Sequence, residues 1–140
     1  MDSLTPVIEN AFSNQTQSST QSLDDLVEAH FQPIFALVDA YLENPNLSLK
    51  ITETFFKVMR RHQLVSPVAL YKMVVESVGF ENCSCALLDT IPYPQATCWL
   101  LKELTGFRYQ EIGWIMDMPV QQVKEHIAEA RYLILEQVAS

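Results

Sequence analysis

LLDTIPYPQATCWLLKELTGFRYQEIGWIMDMPVQQVKEHIAEARYLILEQVAS, residues 87–140, is the stretch whose reading decides the fold. It predicts three helices, the last two forming a helix-turn-helix. Pro92 and Pro94 open the first helix, which carries Cys98, Leu100, Leu101 and Leu104 and stops at Gly106. A glycine just beyond a helix ends it easily because it enters the left-handed region without strain. The second helix is short, Tyr109 to Met116, with Ile112, Ile115 and Met116 on one side. Asp117-Met118-Pro119 makes the turn, and Pro119 suits the opening of a new helix. The third helix has Val120, Val123, Ile127, Ala130 and Ile134 at steps of three, four, three and four, one apolar stripe. A turn this tight holds the third helix across the second and leaves its outer face free. That face is Gln121, Gln122, Lys124, Glu125, His126, Ala128 and Glu129.

Working outward, the joint before this stretch is residues 80–86, a short polar linker. Upstream, residues 22–79 predict a second helical module. Ser22 is placed to cap a helix whose first turn holds Asp24 and Asp25, where the helix dipole favours negative charge. Leu23, Leu26, Val27, Phe31, Ile34, Leu37, Val38, Tyr41 and Leu42 continue at helical spacing, with Pro33 expected to kink or divide the helix. Asn44-Pro45-Asn46 reads as a turn. The next helix is expected from about Leu49 to Arg61, and Ser66-Pro67 starts another that ends before Gly79. Residues 1–21 are polar and lack Lys and Arg, the composition of a flexible arm. The fold class is all-α, two small helical modules joined by a short linker.

The composition narrows the function. The chain has 140 residues, 49% of them hydrophobic, with three glycines, which suits a globular helical protein. No apolar run approaches the ~20 residues that cross a bilayer, and the N-terminus lacks a signal-peptide plan. A cytoplasmic protein with reduced Cys83, Cys85 and Cys98, and no membrane insertion, is expected. Cys83-Ser84-Cys85 has no second pair, and His30, His62 and His126 are scattered, so no metal site or other cofactor is expected. No Ser-His-Asp order, HExxH or phosphate loop is present, and a non-enzyme is expected. There are no internal repeats and no sustained heptads. The net charge of −8, with nine Lys and Arg residues, argues against a protein that holds DNA unaided. A subunit brought to DNA by a larger complex escapes that objection, as does a protein that binds only proteins.

Gly106, Arg108-Tyr109, Glu111-Ile112-Gly113, Pro119, Val123-Lys124 and Ala130-Arg131 resemble, in register, region 4 of the sigma-70 family of bacterial transcription initiation factors, in its small two-domain group. Upstream, Glu53-Thr54-Phe55-Phe56-Lys57-Val58-Met59-Arg60 and Leu70-Tyr71-Lys72-Met73 resemble region 2 of the same family. Together the resemblance covers most of residues 22–138. It implies a protein that binds core RNA polymerase and promoter DNA, with the helix of residues 120–131 in the major groove of a −35 type element. Arg108, Gln121, Gln122, Lys124, His126 and Arg131 are then the DNA-contacting candidates. Lys50, Lys57, Arg60, Arg61 and Lys72 are the candidates for polymerase or phosphate contact, beside the plainer reading of a solvated basic helix end. Trp99, Phe107 and Trp114 are expected to pack in the core or at the joint.

The chain also departs from the family pattern. Lys50 stands in the segment that is acidic in the family, Val75-Glu76 where Arg-Asn is usual, and Glu125-His126 and Glu129 where the reading helix is usually basic. A second expectation follows: a sigma-like interaction module that binds an anti-sigma factor, or an accessory regulator of polymerase, without reading DNA itself.

Overall fold

Ser22 caps the first described helix, as expected. In the computed structural model, which describes residues 22–63 and 66–139, its extended backbone turns the side-chain Oγ towards Asp25 and accepts that residue's N–H at 3.1 Å. The expected arm of residues 1–21 lies outside the described residues. Helix α1 runs Leu23–Leu42 and buries Leu26, Ile34, Leu37, Val38 and Tyr41. It continues through Pro33 rather than dividing there. The carbonyl that Pro33 cannot serve belongs to exposed Ala29, where water is at hand, while Leu26 before the proline and Ile34 and Leu37 after it hold both sides of the helix in the core.

Helix α2, Pro45–His62, begins earlier than the sequence reading placed it. Asn44-Pro45-Asn46 is the helix entrance and not a separate turn: Asn44 Oδ1 accepts from Leu47 N at 3.2 Å and Pro45 takes the first helical position. The corner from α1 is fixed by Asp39, whose Oδ1 accepts from Asn44 N at 3.0 Å and from Ser48 Oγ at 2.9 Å. Helix α3, Pro67–Val78, starts on a Ser66 cap and ends at Gly79, which sits in the left-handed region at φ 74°.

The joint between the two sequence halves is folded. Phe80–Asn82 form one 3-10 turn that buries Phe80 against Tyr41, ring centroids 4.3 Å apart and nearly parallel. After buried Cys85 comes a short helix, α4, Ala86–Thr90, so residues 87–140 begin with an element beyond the three expected. Then follow α5 (Tyr93–Thr105), α6 (Tyr109–Met116) and α7 (Val120–Ala139), bounded as the sequence implied. The described residues form seven α-helices and no strand, an all-α fold.

Packing explains how the pieces are held. The most extensive helix pairs are α5 on α7 and α1 on α2, one in each half. Two further pairs, α3 on α6 and α1 on α5, join the halves, and their buried side chains run into one continuous core. Tyr71 meets Phe107 edge-on at 5.0 Å, and Tyr41 Oη shares a buried hydrogen bond of 2.5 Å with Thr97 Oγ1. The corner that presents α7 is therefore braced from behind by α1 and α3.

Candidate nucleic-acid interface

The α6–α7 corner depends on two backbone features. Asp117 adopts the left-handed conformation at φ 56°, reversing the chain within three residues. Gly113 lets the turn pass close: a Cβ there would stand 2.7 Å from the Met118 carbonyl oxygen, nearer than any side chain tolerates. Met118 N–H instead donates to the Gly113 carbonyl at 2.9 Å. A glycine inside a helix costs about 1 kcal/mol against alanine, so its presence marks a close approach. Val123, Ile127 and Ala130 then lock α7 to the core, and Ile112 and Ile115 do the same for α6.

The outer face lies where the periodicity placed it. Gln121, Gln122, Lys124, Glu125, Ala128 and Glu129 are all exposed. His126 is the exception, with its side chain only 14% exposed. It is wedged between Gln122 and Glu129 at 3.4 Å each, and Gln95 of α5 also reaches Glu129 Oε1, at 3.3 Å. His126 thus braces α7 towards α5 more than it projects outward.

The cations divide into those that project and those held within the fold. Arg108 caps α6; its N–H donates to Glu111 Oε1 at 2.8 Å while its guanidinium, 77% exposed, reaches outward near the same carboxylate. Arg131 leans on Glu103 of α5 at 3.4 Å in an exposed pair. Lys124 Nζ stands 5.6 Å from the Tyr109 ring centroid. Lys102 Nζ stands 4.8 Å from the same ring and donates to the Phe107 carbonyl at 2.9 Å. Tyr109 thus gathers two ammonium groups, and Lys102 joins the candidates although periodicity alone gave it no part. The attraction of each cation for the ring face holds them together against their mutual repulsion.

On α2, Lys50, Lys57 and Arg61 recur at intervals of seven and four on the exposed side, opposite Ser48, Thr52, Phe55 and Met59 in the core. Arg60 lies beside them, 3.3 Å from Asp24 in an exposed pair. The sequence placed these side chains in one helix; the structure aligns three of them in one basic stripe. Lys72 lies elsewhere. Its Nζ donates to the Trp114 carbonyl at 2.9 Å, sits 4.9 Å from that indole ring and pairs with Glu76 at 3.4 Å. It joins α3 to α6 rather than facing outward. Of the aromatic residues expected to pack, Phe107 is at the joint between halves and Trp99 is half-buried, while Trp114 is 42% exposed beneath Lys72.

The remaining chemistry is quiet. Burial pushes the Cys98 thiol up to about 12 and also raises Cys83, so neither presents a thiolate nucleophile near neutrality. No group of three or more His, Cys, Asp or Glu among the described residues could hold a metal ion. No helix among the described residues is long and apolar enough to cross a membrane. No family model, curated protein or solved structure matches the chain.

Proposed function

We propose that the chain is a sigma-like transcription initiation protein that docks on core RNA polymerase in the cytoplasm and presents α7 to promoter DNA. The observation that carries the reading is the α6–turn–α7 corner: Gly113 and Asp117 bring the helices close, and Gln121, Gln122 and Lys124 project from the free face. Glutamine can pair with adenine edges in the major groove and lysine with guanine or phosphate. Lys102 and Lys124 at the Tyr109 ring, with Arg108 beside it in the chain and Arg131 on α7, supply the positive charge of this corner. The α2 stripe of Lys50, Lys57 and Arg61 serves as the polymerase or phosphate contact of the region 2-like module, residues 22–79. Docking on polymerase answers the charge problem, because a net charge of −8 opposes phosphate while a tethered helix needs little affinity of its own.

One set of observations favours a second reading. Glu125 and Glu129 share the outer face of α7, Arg131 already leans on Glu103, and Lys72 is engaged within the fold. A sigma-like module that binds an anti-sigma factor, or rides on polymerase beside another factor, would keep the helical scaffold and give up DNA contact. The two readings separate on titration of the purified full chain with core RNA polymerase, followed by selection of bound sequences from genomic DNA. Binding of core with recovery of a recurring promoter element supports initiation. Core binding only in the presence of another sigma factor supports the accessory role. Failure to bind core, with tight binding of an anti-sigma factor, supports the decoy.

A further inference from the structure

Helix α7 is amphipathic twice. Its buried stripe faces α5 and α6. On the opposite side Gln121, Glu125, Ala128, Tyr132, Leu135 and Ala139 recur at steps of four, three, four, three and four, and every one is exposed. Tyr132 and Leu135 are 62% and 66% exposed, more than isolated surface residues of that size need be. Alternation of four and three is the seam of a two-stranded coiled coil.

The charges beside that seam are sorted. Lys124 and Arg131 lie along one edge, Glu129 and Glu136 along the other, and all four are exposed. In a parallel pair, each edge residue faces the one five positions further along the other helix. Arg131 then meets Glu136 of the second copy within the paired segment, while Lys124, on Tyr109, and Glu129, held by His126 and Gln95, flank its N-terminal end. Two-fold symmetry makes that pairing twice. An antiparallel pair sets equal edges together, Glu beside Glu and Lys beside Arg, and is repelled.

We propose that this face of α7 is the docking surface for a second copy of the chain, paired parallel and in register from Ala128 to Ala139. The seam is short, and a free peptide of this length would be a marginal helix. Here α7 is already ordered by its packing on α5 and α6 as far as Ile134, so association need order only residues 135–139, which are exposed on every side. Pro92 and Gln95 of α5 flank the N-terminal half of the seam, where they line a cavity with Ala128, Glu129 and Tyr132. Glu125 faces its own counterpart at the N-terminal end of the pairing, which drives the helices apart there and frees Gln121 and Gln122. The exposed Arg131–Glu103 contact yields readily, as surface ion pairs do. This inference does not depend on the transcription reading.

The test is sedimentation equilibrium of the full chain over a concentration series, beside Arg131→Glu, the charge-swapped Arg131→Glu/Glu136→Arg, and Glu125→Gln. The expected result is a mass rising from one chain towards two. Arg131→Glu should weaken association by roughly tenfold, because symmetry converts one substitution into two lost pairs and two repulsions. The swap should restore it, and Glu125→Gln should strengthen it. Melting temperatures taken alongside identify any variant that has lost its fold; the swapped and Glu125→Gln variants carry the test independently. Orientation is read by oxidising Ala128→Cys and Leu135→Cys separately, with the unaltered chain as control for its native thiols. Both variants cross-link if the helices are parallel, whereas an antiparallel pair brings at most one of the two positions onto its two-fold. A chain that stays single at every concentration, a dimer indifferent to both charge variants, or a dimer cross-linking at only one position would overturn the proposal.

Discussion

The Tyr41 hydroxyl and the Thr97 hydroxyl, 56 residues apart in sequence, share a buried hydrogen bond of 2.5 Å that ties α1 to α5. Neither side chain has water to fall back on. Tyr41→Phe should therefore leave Thr97 unsatisfied and cost about 1–3 kcal/mol in urea unfolding. Tyr41→Phe with Thr97→Val should cost less than the two single changes added together. Additive losses would show that the bond contributes little to joining the halves.

Gly113→Ala should destabilise the protein by about 1–3 kcal/mol, because the added methyl meets the backbone oxygen of Met118 and not a side chain able to move away. The usual gain from replacing a helical glycine with alanine should be absent. A Tm at or above that of the parent would mean that the α6–α7 corner opens at no cost.

His30 gives the protein a pH slope with a definite sign. Burial lowers its pKa below the ordinary 6.5, and its Nδ1 lies 3.0 Å from the Tyr71 hydroxyl. The unfolded chain therefore binds a proton at higher pH than the folded one. This contribution to stability is intact above about pH 6.5 and is lost as the pH falls through the folded value. Thermal melts between about pH 5 and 7.5 should show His30→Gln with a flatter profile than the parent. Parallel profiles would remove His30 as the cause.

Under the proposed function, Lys124→Glu should abolish promoter binding by the assembled polymerase complex without changing the melting temperature. Lys124→Ala should weaken binding across sequences and lower the salt dependence by about one counterion. Full promoter occupancy by Lys124→Glu, measured by footprinting, would exclude α7 as the reading helix.

What the sequence made legible was whatever is decided locally. Ser22, Ser66, Gly79 and Gly106 cap their helices where expected, because a cap needs only its own backbone and the next turn. Asn44-Pro45-Asn46 misled, because the same residues suit a turn and a helix entrance, and the choice fell to the Asn44–Leu47 hydrogen bond. Pro33 does not divide its helix, because tertiary burial on both sides outweighs one missing backbone bond. At the candidate interface, the exposure of Gln121, Gln122 and Lys124 follows from helical period alone. The meeting of Lys102 with Lys124 on Tyr109, the inward role of Lys72 and the wedging of His126 do not. They depend on which helices come together, which no local pattern encodes.

Phe80 and Cys85 are buried while Ser84 between them is exposed, so the chain can be reached at a point where its neighbours are already gripped. The register between the halves is set by Tyr41 on Thr97, Tyr71 on Phe107 and Lys72 on Trp114, none of which passes through that peptide. A nick after Ser84 should thus leave two fragments that still elute as one body, each acting as the mould for the other.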